Sequence, residues 1–326
     1  MRIASFAVIA AALLAASADA QTVPAKQVFA LPPESVTVIA TRPSEETIRA
    51  FVETRGARTY VLDRMARWTS KVCPLTIGLG DKYARYITQR IRDVAAAVGA
   101  PVDQDPGCRP NIEVVFTTAP QTLMTNIRNQ KPIFLGFFHN GRQADDLANV
   151  AHSIQGWYTT VSQDIDGNRQ IDTGTCGVGT SIGLQQPVGG GEGMTAGTTT
   201  STLTLPCAVV VHSSGFRASD GLDSGLYNVL IVAEPAKLLD FEVGSLADYV
   251  TLLALSQPAS LDNCQELPSI TNMLAKDCAS VPNRITDGDL AFLQALYKIP
   301  NGEKLATQRG HIEYEMKKIL VTDKAN

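Results

Sequence analysis

Few residues in this chain combine a reactive type with a telling spacing. Gly179-Thr180-Ser181-Ile182-Gly183 fits G-x-S-x-G, the pattern in which a buried strand and a following helix hold a serine nucleophile on a sharp turn. The flanks at 172–175 and 184–187 carry neither element, so a chance match in a Gly-rich stretch is the better account. His311 does lie downstream, as the order of a hydrolase triad requires. A metal-free serine esterase or peptidase using Ser181 therefore stands as an alternative. Asp164-Ile165-Asp166-Gly167-Asn168 opens like a calcium-binding loop. Such a loop needs Gly at its sixth position and Glu at its twelfth. Counted from Asp164 these are Arg169 and Thr175, so a hairpin turn fits better. The four histidines, His139, His152, His212 and His311, show no H-x-H or H-x-x-x-H spacing, and no local pair starts a zinc site. Trp157 and Tyr158 read first as cross-strand packing and second as the aromatic wall of a cleft.

The elements that must position these residues follow from periodicity. Ile48, Phe51 and Val52, then Leu62, Met65 and Ala66, predict a helix over 45–68 divided at Gly56. A strand at 73–79 leads to a helix that Asp81 is placed to cap. Tyr83, Ile87, Ile91, Val94 and Val98 give that helix one apolar stripe, which Gly99 and Pro101 end. A second strand at 111–117 completes a crossover of the length a parallel pair needs. Residues 121–152 read as mainly helical with a break at 132–140. A strand at 155–163 turns at Asp166-Gly167 and returns over 170–172. The stretch 173–201, with Gly189-Gly190-Gly191 and a Thr/Ser run, is expected as a long loop, a lid over a cleft or a solvated excursion. A β-branched strand at 226–233, an apolar helix at 246–256 and a loop at 261–283 follow. Thr286, with Asp289 three residues on, caps a helix that buries Leu290, Leu293, Leu296 and Tyr297. A last helix covers 304–319.

The N-terminus carries Arg2, a short apolar run and Ala18-Asp19-Ala20, the layout of a signal peptide over 1–20 cleaved between Ala20 and Gln21. The apolar run is shorter than the roughly 20 residues a membrane span needs. An extended leader at 21–45 and one domain at 46–326 are expected after it. The formal charge of -4 gives no electrostatic footprint for nucleic acid. Nothing later reads as a transmembrane segment. Six cysteines in an exported chain predict three disulfides. Many connectivities are open; sequential pairs, Cys73–Cys108, Cys176–Cys207 and Cys264–Cys278, each bracket a local unit. The export signal looks bacterial, which places the mature chain in the periplasm or outside the cell.

The C-terminal third resembles the zincin metalloproteases, especially their metzincin branch. The resemblance rests on the apolar helix 247–255, on Pro268-Ser269-Ile270-Thr271-Asn272-Met273 with Met273 as the methionine turn, and on the closing segment Ile285-Thr286-Asp287-Gly288-Asp289-Leu290 through Leu296-Tyr297. It implies an α+β zincin-like fold, a mixed sheet with packed helices. In that family H-E-x-x-H-x-x-G-x-x-H binds zinc, with the Glu polarising the metal's water. Here the three ligand positions fall on Ala247, Thr251 and Gln257, the Glu on Asp248 and the Gly on Ala254. Neither Ala, Thr nor Gln supplies the imidazole such a site needs. The resemblance therefore implies a pseudo-metalloprotease without metal or cofactor, binding a peptide or envelope protein in a vestigial cleft. Ala247, Asp248, Thr251, Gln257, Trp157 and Tyr158 are its candidate lining. Asp248 is expected to face solvent at the helix start. An envelope scaffold is the remaining alternative.

Overall fold

In a computed structural model of the protein, the described residues are 43–164, 166–173, 182–187, 198–203 and 221–322. At 182–187, 198–203 and 322 the description covers the backbone alone. The chain divides into two units, 1–41 and 42–326, and the described residues belong to the second. The expected signal peptide with its Ala20/Gln21 cleavage site lies outside them, as do nearly all of the leader, Ser181, His212 and the Cys176–Cys207 pair.

The first helix, α1 (Glu45–Arg55), is capped by the Ser44 side chain, which accepts from Thr47 N. It stops at Gly56, and the helix expected to resume up to residue 68 does not form. Tertiary pairing prevails there. The Ala57 N–H bonds to Gln257 O at 2.9 Å, and a Cβ on Gly56 would lie 2.0 Å from the Met65 methyl. The strand–helix–strand unit forms as expected: β1 (Pro74–Ile77), α2 (Asp81–Val98), β2 (Ile112–Phe116), with the two strands parallel. Gly99 closes α2 in the left-handed conformation, at φ 87°. The cap at the other end differs from expectation. Gly80 occupies the N-cap position, and Asp81 sits in the first turn, where the helix dipole favours a carboxylate.

α3 (Pro120–Gln130), a 3₁₀ turn (Pro132–Leu135) and α4 (Gly141–Leu147) fill the interrupted helical stretch. β3 (Ile154–Gln163) pairs antiparallel with the short β4 (Arg169–Ile171). The turn between them is closed by the Asp164 carboxylate, which accepts from Asn168 N and Nδ2 at 2.8 and 2.9 Å, as the hairpin reading required. Within the stretch expected as a loop at 173–201, β5 (Ile182–Pro187) pairs antiparallel with β6 (Thr198–Leu203). The Thr run there favours a strand because its β-branched side chains suit a pleated backbone. β7 (Asp223–Ala233), α5 (Val243–Leu255), a second 3₁₀ turn (Ile270–Met273), α6 (Asp287–Lys298) and α7 (Leu305–Thr322) complete the order.

The fold is α+β, with seven α-helices among the described residues and a five-stranded mixed sheet of order β1-β2-β7-β3-β4. Side chains alternate across the sheet, so it carries two cores. Ile112, Val114, Val229 and Ile231 face the larger one, with α1, α2, α5, α6 and α7. Trp157, Leu230 and Val232 face the smaller one, with Met124, Leu135, Phe138 and Ala144. Every residue from Ser245 to Leu255 is buried. A helix that is apolar all round belongs in a core, and α5 runs through the larger one. Among the described residues two disulfides are present, Cys73–Cys108 and Cys264–Cys278. They fit an exported chain. No helix among the described residues is long and apolar enough to cross a membrane.

Candidate functional site

The C-terminal end of α5 fixes the geometry around it. A helix leaves its last four carbonyls without intrahelical partners, and here each finds one. Leu252 O accepts from Ser256 N at 3.1 Å and from Ser256 Oγ at 2.8 Å. Leu253 O accepts from the Tyr158 hydroxyl at 3.1 Å. Ala254 O accepts from Trp68 Nε1 at 2.8 Å, and Leu255 O from the Tyr297 hydroxyl at 2.8 Å. Three neutral aromatic donors from three separate segments thus lock α5 against β3, α6 and the 57–72 segment. Burial pushes the Tyr158 and Tyr297 hydroxyls well above their usual range, so both stay protonated donors.

Tyr158 reaches Leu253 by folding back over Gly156. A Cβ at Gly156 would stand 2.7 Å from the Tyr158 hydroxyl. The chain leaving α5 is then held by Ala57 N on Gln257 O and by Ala259 N on Thr54 O, at 2.9 and 3.0 Å. Gln257 consequently forms one wall of a cleft of about 370 Å³, together with Trp157, Tyr158 and Gly156 of β3 and Tyr60, Gly136 and Phe137 opposite. A second hollow of about 230 Å³ shares Gln155, Gly156, Tyr158 and Pro258 with the first and extends to His152 and Asp262. The two form one groove along β3.

Part of the floor of that groove is a sheet edge that no described strand pairs. The Ser153 carbonyl accepts from Glu234 N, toward β7, whereas the Thr160 carbonyl accepts from Asp172 N on the other side. Main-chain direction alternates along a strand, so the N–H and C=O groups of Gly156 and Tyr158 point outward with those of Thr160. On that side β4 covers only Val161–Gln163 and no other described strand pairs with β3, while Gly136 lies against the Tyr158 carbonyl, where a Cβ would stand 2.5 Å from it. Beside this edge stands an aromatic shelf. Tyr60 stacks on Phe137 with centroids 4.5 Å apart and planes 12° apart. His139 meets both rings edge-on and shares a hydrogen bond with the Tyr60 hydroxyl. Tyr60 is 64% exposed. Gln257 Oε1 is buried and has no hydrogen-bond partner.

The candidates named from sequence separate into two sets. Gln257, Trp157 and Tyr158 come together in the groove. Ala247 and Thr251 are fully inaccessible, and the Thr251 hydroxyl is without a partner. Asp248 is not the solvent-facing carboxylate expected. It is buried, accepting from Arg90 Nε of α2 at 2.5 Å and from Ile285 N at 2.8 Å. The helix begins earlier than expected, at Val243, so Asp248 stands in its second turn, and packing of α2 against α5 takes the carboxylate inside, where only such an ion pair makes it tolerable. Met273 is buried in the larger core. The described histidines have separate partners: His139 on the shelf, His152 against Asp262, His311 against Glu303. No group of His, Cys, Asp and Glu among the described residues is placed to hold a metal ion. Sequence reasoning missed Tyr60, Gly136, Phe137 and His139. Their signal was the aromatic cluster Phe134, Phe137, Phe138 and His139 at a break between helices.

A further polar knot lies behind α5. The Asp289 carboxylate accepts from Ser269 Oγ at 2.6 Å, Ile270 N at 2.8 Å, and Thr286 N and Oγ1 at 3.1 and 2.9 Å. Burial raises its pKa, and these donors and the charge of Arg55 oppose the rise. One side chain thereby joins the 269–273 turn to the capping box of α6.

No family model, curated protein or solved structure matches this chain.

Proposed function

We propose that this is an exported, non-catalytic protein with a zincin-like frame, and that it binds an extended peptide segment in the groove along β3. The observation that carries the reading is the unpaired edge of β3 at Gly156, set in a groove with an aromatic shelf on one side and an unpartnered amide oxygen on the other. A peptide laid there adds a strand through main-chain hydrogen bonds. Its side chains meet Tyr60 and Phe137. Support for the zincin-like frame is that its matched segments meet: Asp289 binds the 269–270 segment and Thr286 together. Support for a non-catalytic role is the side-chain chemistry of α5. Ala247 and Thr251 are sealed, and Asp248 is engaged by Arg90 and Ile285.

Selection of random displayed peptides on the mature protein tests this. Enriched peptides are expected to lose affinity by about tenfold or more with Tyr60→Ala, and to slow hydrogen exchange at Gly156 and Tyr158. Bound peptides that leave those amides unprotected, or no enrichment at all, would overturn the reading.

A further inference from the structure

The other edge of the sheet is β1, and among the described residues its outer side is hydrogen-bonded only at its start. Val72 N donates to Pro101 O at 2.8 Å, and Val72 O accepts from Asp103 N at 3.0 Å. Cys73 O points the opposite way, accepting from Asn111 N at 3.1 Å. By the same alternation, the main-chain groups of Pro74 and Thr76 point outward with those of Val72, but they are recessed, since Pro74 is buried and Thr76 is only 5% exposed. No described strand pairs with them. The segment around Val102, bridged in parallel to Val72, already lies along this edge, and its hydrogen bonds stop at Asp103.

Apolar side chains flank the open stretch on both faces of the sheet. α2 lies over the face of Thr76, whose hydroxyl accepts from Thr88 Oγ1 at 3.0 Å. It presents Tyr83 and Tyr86 there. Leu75 and Ile77 alternate to the other face. All four are between 42% and 50% exposed. A hollow of about 780 Å³ beside the edge is walled by Leu75, Tyr83, Tyr86 and Val243, with Lys82 and Arg85 among its lining. Lys82, Arg85 and Tyr86 fall at three- and four-residue steps, on one side of α2. Neither cation has an ion-pair partner among the described residues.

We propose that this edge is a docking site for an extended acidic segment of a partner protein, which joins the sheet beside β1. Pro74 has no N–H, so the main-chain contact is short: one donor, Thr76 N, and the carbonyls of Pro74 and Thr76. The rest of the recognition comes from side chains that alternate between the two tyrosines and the Leu75/Ile77 pair, and from carboxylates facing Lys82 and Arg85. That charge decides the occupant. A second copy joined through the same edge would set the basic pairs of both copies against each other, whereas an acidic strand neutralises them. The surface shares no lining residue with the β3 groove.

The probes are two synthetic peptides, one alternating Val and Glu and one alternating Val and Lys, titrated into isotope-labelled mature protein. The acidic peptide is expected to shift the amides of Leu75, Thr76 and Ile77, with an affinity at least about tenfold above that of the basic peptide and falling with salt. Reversing both charges, with Lys82→Glu and Arg85→Glu on the exposed side of α2, is expected to invert the preference. Equal binding of both peptides, or no shift at β1 at millimolar peptide, would overturn the proposal. So would shifts confined to Gly156 and Tyr158, which would favour the β3 groove alone. A concentration-dependent dimer that protects Thr76 without peptide would assign the edge to a second copy and overturn it too.

Discussion

The Tyr158 hydroxyl donates to the Leu253 carbonyl at 3.1 Å, so a residue of the groove is also a cap of the central helix. Replacing Tyr158 with Phe leaves that buried carbonyl unpaired and is expected to cost about 1–2 kcal/mol. Gly156→Val forces the ring off its seat, because a Cβ at 156 would sit 2.7 Å from the hydroxyl. Its expected cost is larger, roughly 3 kcal/mol. Urea unfolding of the two variants checks the order. A Gly156→Val protein as stable as Tyr158→Phe would mean that the ring has somewhere else to go.

Thr251 holds the position at which the resembling family places its second imidazole, and its hydroxyl is buried without a partner. Valine has the same shape and no polar atom to desolvate. Thr251→Val is therefore expected to stabilise the protein by about 1 kcal/mol, raising its melting temperature by about 2 °C. Calorimetry measures this directly. A loss of stability would show that the hydroxyl has a partner, such as a buried water, that the side-chain contacts do not reveal.

Glu113 on β2 accepts from Asn228 Nδ2 at 2.7 Å. Burial raises its pKa above the ordinary 4.5, against the smaller opposing effect of that hydrogen bond. A carboxyl whose folded pKa is raised favours the fold while protonated. Its contribution is full below the unfolded value and is lost as pH climbs through the raised one. Glu113→Gln removes this dependence. The melting temperature of the variant relative to the natural protein is expected to rise from pH 4 to pH 7. A difference that stays flat, or falls, would mean that the carboxylate is well solvated.

The elements legible in the sequence were those whose pattern and tertiary fate agree. Four of the five stripe residues of α2, Ile87, Ile91, Val94 and Val98, found the buried face they need before Gly99 stops the helix, while Tyr83 at its start stays exposed. Thr286 with Asp289 forms the capping box that its spacing announced. The expected helix beyond Gly56 failed because Leu62, Met65 and Ala66 fit a helical period, yet Ala57 pairs with Gln257 across the fold. The burial of Asp248 could not be read locally, since its partner Arg90 stands on a different helix. The groove was legible only in part. Gln257, Trp157 and Tyr158 were named, but the shelf is assembled from Tyr60 and Phe137, far apart in the chain, and no periodicity links them.

The Cys73–Cys108 bridge closes a covalent ring that contains all of α2. A protease that severs one peptide bond inside that ring releases nothing: β1 and β2 remain on a single molecule, and the pieces separate only when a reductant is added. The basic helix that flanks the β1 edge is thus tethered at both ends, and a nick in the loop before or after it does not detach it from the strand it overlies.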